Sequence, residues 1–155
     1  MTVIDLIRDQ DEMIAYSHRF ILWPRLWQDY RNTHAWQMYR LCPEERSNIP
    51  EQSGIYTLLI QPSIAEHPAC SYLMYVGKSN SLRRRFGNYL NERNRETGRP
   101  KLLRLLNKYP DYIWFCYTIV PEAELDDVET ALYTAYLPPS NDQYTAEISR
   151  IIGAF

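Results

Sequence analysis

The chain has 155 residues, 45% of them hydrophobic and 23% charged, with a net charge of −2, which suffices for one domain with its own core and excludes a second full one. It holds no apolar run of the roughly 18 residues a membrane helix needs, and acids stand early in Met1-Thr2-Val3-Ile4-Asp5, so a soluble, cytoplasmic protein with no membrane partner is expected. Cys42, Cys70 and Cys116 are odd in number and far apart, without a C-x-x-C pair, which argues against a disulfide framework or a zinc site.

Residues 1–48 are expected to form a helical and aromatic extension packed on the core. Thr2 to Tyr16 has helical periodicity, with Val3, Leu6, Ile7, Met13 and Ile14 apolar, and a stretch carrying Trp23, Trp27, Tyr30, Trp36 and Tyr39 follows. Two readings stand for these aromatics: they cover the sheet, or they stack the bases of single-stranded or distorted nucleic acid. Pro43 and Pro50 bracket a shift in composition, and residues 49–155 are taken as the main domain.

Gly54 to Ile60 and Ser71 to Gly77 are rich in β-branched and aromatic residues and read as the arms of one antiparallel hairpin. Placing Tyr56 opposite Tyr75 sets Leu58 against Leu73 and Ile60 against Ser71. Alternation then puts both phenols on one face, with Ile55, Thr57, Leu59, Tyr72, Met74 and Val76 on the other. Gln61 to Cys70 forms a long joining loop, whose Glu66 and His67 either contact substrate or decorate a surface turn.

Ser81 to Leu90 has helical period, with Leu82, Phe86, Tyr89 and Leu90 apolar. Arg85, four residues before Tyr89, points inward, while Arg83 and Arg84 are displaced toward solvent or phosphate. Gly98 breaks the pattern. Pro100 starts a helix striped by Leu102, Leu105, Leu106 and Tyr109. Tyr112 to Val120 is a third strand, apolar on both faces and expected to be central or well covered. Pro121 opens the last strong helix, whose first turns hold Glu122, Glu124, Asp126 and Asp127, where the helix dipole favours carboxylates. Leu125, Val128, Leu132 and Tyr136 mark its buried face, and Glu129 lies among them. A carboxylate there needs a cation, either in an internal salt bridge, with Arg85 as one candidate, or as a metal ion. The expected fold is mixed α/β (α+β): a small three-stranded antiparallel sheet flanked by helices.

Charge is unevenly distributed. Residues 78–108 contain ten basic and two acidic side chains, a balance of +8, whereas the rest of the chain carries −10. The block reads either as a solvated helical face or as a surface for a polyanion. Beside the tyrosine hairpin, nucleic acid is the favoured partner.

Gly54-Ile55-Tyr56, Tyr75-Val76-Gly77-Lys78, the Leu82-Arg83-Arg84-Arg85 run, Glu129 and Asn141 together resemble the GIY-YIG nuclease family, and most of all the GIY-YIG domain of the bacterial excision-repair nuclease. The resemblance spans roughly Ile49 to Asp142 and rests on order and spacing together. It implies a catalytic set of Tyr56, Tyr75, Lys78, Arg85, Glu129 and Asn141. In this set Tyr75 acts as general base, Tyr56 orients water or phosphate, Arg85 stabilises the phosphoryl transition state and Glu129 is the ligand of a single Mg²⁺ or Mn²⁺. Asn141 donates to the phosphate or holds a catalytic hydroxyl. Because a phenol ordinarily titrates near ~10, Lys78, Arg85 or the metal must favour the Tyr75 phenolate. Arg83, Arg84, Tyr89, Arg93, Arg95, Arg99, Lys101 and Arg104 are expected to contact nucleic acid, with DNA the first choice.

The joining loop is longer than is usual in the excision-repair nuclease. No recognisable DNA-binding appendage follows Asn141, so substrate choice is expected to come from the extension, the basic helices, a homodimer or a separate specificity partner. The sequence therefore reads as a metal-dependent endonuclease; the alternatives are a catalytically silent nucleic-acid-binding module of the same fold, and an interaction protein without nucleic acid.

Overall fold

A computed structural model describes residues 2–31, 33–62, 70–142 and 144–154; Glu66 and His67 of the joining loop lie outside the described residues. Helix α1 (Val3–Ala15) is opened by a capping box between Thr2 and Asp5, and a short helix α2 (Pro24–Trp27) follows. Strand β1 (Gln37–Arg40), a 3₁₀ turn (Pro43–Asn48), β2 (Gly54–Ile60) and β3 (Tyr72–Ser79) lead into helices α3 (Leu82–Glu92) and α4 (Pro100–Lys108). Strand β4 (Ile113–Ile119), α5 (Leu125–Tyr136) and α6 (Ala146–Ile152) complete the chain.

The sheet is antiparallel and has four strands in the order β1-β4-β2-β3, one more than the sequence predicts. The additional strand, Gln-Met-Tyr-Arg, is too short to show a period of its own and is held by β4, with Tyr39 opposite Phe115. Strand β4 lies between β1 and β2, the central position expected of it.

Two cores sandwich this sheet. On one face Tyr56, Leu58, Ile60 and Phe115 pack against Leu82, Phe86 and Tyr89 of α3 and Leu102, Leu105 and Leu106 of α4. On the other, Ile55 and Val76 meet Leu125, Val128 and Leu132 of α5, joined by Tyr30 and Trp36 of the N-terminal segment. Helix α1 is different: none of its residues is buried, and Val3, Ile4, Leu6, Ile7, Met13 and Ile14 are all exposed. The aromatic stretch thus supplies packing to the sheet, while the amphipathic helix before it does not.

The hairpin register differs from the predicted one. Tyr56 pairs with Gly77 and Leu58 with Tyr75, and a β-bulge at Leu58/Leu59 then sets Leu59 against Leu73 and Ile60 against Tyr72. The bulge places both Met74 and Tyr75 in the core beneath α3 and α4 and brings Tyr72 to the side of Ile60. Neither Met74 nor Tyr72 therefore lies on the face that simple alternation gives them. Bulges of this kind re-aim side chains, and here the re-aimed side chains are Met74 and Tyr72, while Tyr75 keeps the face of Tyr56.

Close approach explains the two motif glycines. A Cβ on Gly77 would lie 2.6 Å from Tyr56 Cζ and 2.9 Å from Tyr75 Cε1. One on Gly54 would run into the Thr118 carbonyl and come within 2.8 Å of Leu82 Cδ1. In both places the missing side chain is what lets a ring or a neighbouring strand come so near.

Candidate active site

Strand β3 is an edge strand, and its outward-facing backbone groups need partners. The segment after α5 supplies them. Leu137 takes a left-handed conformation (φ 44°, ψ 60°) that ends the helix, and Pro138 and Pro139 carry the chain back along β3. Ser140 N–H then donates to the Met74 carbonyl at 2.9 Å. The Asn141 side chain accepts from Val76 N–H at 2.9 Å and donates to the Val76 carbonyl at 2.9 Å. The Asn141 amide thus copies a strand partner. Its oxygen and one of its two amide N–H groups are committed to backbone, so the side chain holds the strand in place.

Along this edge the two helical layers meet. A cavity of about 340 Å³ is lined by Tyr75 and Arg99 from the α3/α4 side, by Glu129, Thr130 and Tyr133 of α5, and by Asn141 and Asp142. Arg99 Nη1 donates to the Tyr75 hydroxyl at 2.5 Å, and its guanidinium stands 5.2 Å over the Tyr75 ring. Burial opposes the Arg99 charge, but Tyr75 and Tyr89 beside it prevail and hold its pKa above the ordinary arginine value. Behind Tyr75 lies Tyr56, stacked at 6.2 Å, whose hydroxyl shares a 2.6 Å hydrogen bond with that of Tyr89. Burial, together with Tyr89 and Tyr75, raises the Tyr56 pKa well above the usual phenol range. The Tyr89 pKa is raised as well, chiefly by burial.

Tyr56 is 1% exposed and Tyr89 is wholly buried. Direct contact of either with water or phosphate, as the sequence suggests, is therefore replaced by support of Tyr75 from beneath. Arg85 points inward as predicted, and its charge partly offsets the burial of Tyr56 and Tyr89. Its Nε is buried without a hydrogen-bond partner among the described residues.

On the α5 side, Glu129 is 27% exposed and accepts a salt bridge from Lys78 Nζ at 2.9 Å. Lys78 also pairs with Asp126, one turn earlier on the helix. The internal salt bridge thus forms with Lys78 and not with Arg85. Hydrogen bonds from Lys78 to Asp126 and Glu129 keep its pKa above that of a free lysine. Burial, with Tyr144 and Asp142 nearby, pushes the Tyr133 phenol up to about 12, and its hydroxyl is buried without a partner among the described residues.

The basic residues expected on nucleic acid divide into two groups. Arg83 donates to the carbonyl of Ile49 at 2.6 Å and pairs with Glu51 at 2.8 Å. Arg93 donates to the carbonyls of Leu41 and Pro110, and Arg104 to that of Ala15. These three are tied to the fold, so their expected place on phosphate is corrected. Arg84 and Arg95 are exposed, and Lys101 reaches the Asn141 carbonyl at 3.2 Å beside the cavity. The sequence pattern does not mark Asp126, Tyr133 or Asp142, and it places Arg99 on phosphate. Standing in a loop before Pro100, Arg99 carries no periodicity that would aim it at Tyr75.

Among solved structures, the chain is similar to GIY-YIG endonuclease domains. The magnesium-bound N-terminal endonuclease domain of UvrC from Thermotoga maritima shares 23% identity, over 64% of this chain and 93% of that one, with a TM-score of 0.44. Point mutants of that domain bound to the catalytic divalent cation give 22% identity and the same TM-score, one of them covering 66% of this chain and 99% of that one. No family model matches the chain, and no curated protein does.

Proposed function

We propose that the chain is a metal-dependent nuclease that hydrolyses phosphodiester bonds in DNA at the cavity beside β3. The observation that carries this reading is the convergence, in one cavity, of the Tyr75 hydroxyl, the Arg99 guanidinium and the Glu129 carboxylate. Hydrolysis needs a base for water and positive charge for the phosphoryl oxygens. Tyr75 supplies the base, and the hydrogen bond from Arg99 fixes its hydroxyl in the cavity. Tyr56 stacks behind the Tyr75 ring and is held in turn by Tyr89, while Asn141 fastens the strand on which Tyr75 stands. Exposed Arg84 and Arg95, with Lys101, would meet the strand backbone.

The donor set suits Mg²⁺ or Mn²⁺. Glu129 offers one partly exposed carboxylate, Asp142 lines the same cavity, and no group of three metal-ligating side chains forms among the described residues. Magnesium commonly binds through one or two carboxylates and keeps several waters, and the Tyr133 hydroxyl, without a partner among the described residues, lines the same cavity. When bound, the metal would supply Lewis-acid stabilisation of charge on the phosphate. Lys78, which pairs with both Glu129 and Asp126, would keep Asp126 alone.

Cleavage assays on plasmid, single-stranded and branched DNA and on RNA, with Mg²⁺, Mn²⁺ and EDTA, test the reading directly. Glu129→Gln is expected to abolish metal-dependent cleavage and leave the folded protein intact by circular dichroism. Wild-type-like turnover by that variant would remove Glu129 from the metal site. A second reading, a nucleic-acid-binding module without turnover, draws on the Lys78–Glu129 pair, which already satisfies the carboxylate. It predicts binding without cleavage under every metal condition.

A further inference from the structure

A second gathering of aromatic side chains lies outside this site. Tyr16, His18, Phe20, Tyr72, Tyr109 and Tyr112, with Ile60 and Met74, surround a second cavity of about 550 Å³, within the range of roughly 300–1,000 Å³ typical of ligand sites. Four of these aromatic side chains are strongly exposed: Tyr16 at 43%, Phe20 at 41%, Tyr72 at 46% and Tyr112 at 45%. Exposed rings scattered singly need no explanation, but rings gathered around one hollow mark a binding surface. The walls are already arranged. Phe20 lies 5.9 Å from Tyr72, and Tyr16 meets Tyr109 edge-on at 5.6 Å.

Polar groups and charge complete the picture. His18 Nε2 shares a 2.9 Å hydrogen bond with the Tyr109 hydroxyl. Lys108 Nζ stands 4.5 Å over the Tyr16 ring. Aromatic walls with a cation beside them suit a ligand made of flat rings joined by phosphates. Stacking on such walls tolerates any base, while the cation follows the backbone. The position also fits: Met74 lines this cavity and Tyr75, its neighbour in the bulge, lines the other.

We propose that this aromatic cavity is a nucleobase subsite, which takes an unstacked base of the bound strand close to the phosphodiester presented to Tyr75. The inference rests on the nuclease reading and narrows it to substrates with a base free to leave the stack, such as single strands and duplexes with a bulge or mismatch. The N-terminal segment then selects substrate, because it brings Tyr16, His18 and Phe20 to the wall.

Binding in EDTA separates this proposal from the catalytic one. The probes are a fluorescein-labelled duplex with one unpaired thymine, the same duplex with an abasic residue in its place, and a fully paired duplex, each titrated by anisotropy. Phe20→Ala and Tyr112→Ala, checked for folding by circular dichroism, are expected to weaken binding of the thymine-bulge duplex by roughly 5- to 150-fold, the range for loss of one base stack. The paired duplex should be unaffected. The abasic probe should bind the wild type less tightly and show no further loss in the variants, and Tyr112→Phe, which keeps the ring, should bind as the wild type does. Equal affinity of wild type and variants for the bulged probe, or equal weakening on all three probes, would overturn the subsite and leave the nuclease reading standing. Absence of binding to any probe would overturn both.

Discussion

Within the cavity Tyr75 is held by Arg99, which is hydrogen-bonded to its hydroxyl and stacked on its ring. Tyr75→Phe keeps the ring and deletes the hydroxyl; we expect single-turnover cleavage to fall by about 10²–10⁴-fold, the usual worth of a positioned acid or base, with substrate binding retained. Near wild-type cleavage by this variant would dismiss the general-base role. The Tyr56–Tyr89 pair calls for a different experiment. Removing one hydroxyl orphans the other in a buried site, which costs about 1–3 kcal/mol, so Tyr56→Phe should lower the urea midpoint. The double variant Tyr56→Phe/Tyr89→Phe should recover part of that loss, since neither ring then carries an unpaired polar group. A double variant whose loss is the plain sum of the two single losses would show that the hydroxyls are not coupled.

Between residue and fold stands the edge strand. Asn141 satisfies both polar groups of Val76, so Asn141→Ala should unfasten the segment after α5 from β3. Amide hydrogen exchange at Val76 should accelerate in this variant, and cleavage should decline with it; unchanged protection at Val76 would show that the segment is held elsewhere. How far such features are legible in the sequence depends on their range. The limits of β2 and α4 are visible because period and proline punctuation are local, and the inward turn of Arg85 follows from helical spacing. The hairpin register is not, because the bulge at Leu58/Leu59 is set by packing against α3 and α4 and leaves no trace in an alternating pattern. Likewise Arg83 and Arg84 are adjacent and alike in sequence, and only the fold distinguishes them, by bringing the Ile49 carbonyl to Arg83. The Lys78–Glu129 contact joins residues on two different elements, and charge alone names Arg85 as readily.

At the scale of the molecule, the N-terminal segment contributes unevenly. Helix α1 buries no residue, whereas β1 closes the β4 edge of the sheet. Deleting residues 2–15 is therefore expected to leave the melting temperature of the protein nearly unchanged. Extending the deletion through Arg40 should lower it and promote aggregation, because an uncovered strand edge pairs with other chains. Equal melting temperatures for the two truncated proteins would contradict this division of labour. The sandwich itself has a consequence for the chemistry. Tyr75 belongs to the layer above the sheet and Glu129 to the layer below, and only the thickness of β3 separates them. They close on it like the jaws of a caliper. Asp126 and Tyr133 lie about one turn to either side of Glu129, so sliding α5 by the roughly 5.4 Å of a helical turn would offer the cavity the wrong side chain. Substitutions at Val76 or Leu132, buried together between β3 and α5, thereby alter the gap between Tyr75 and Glu129.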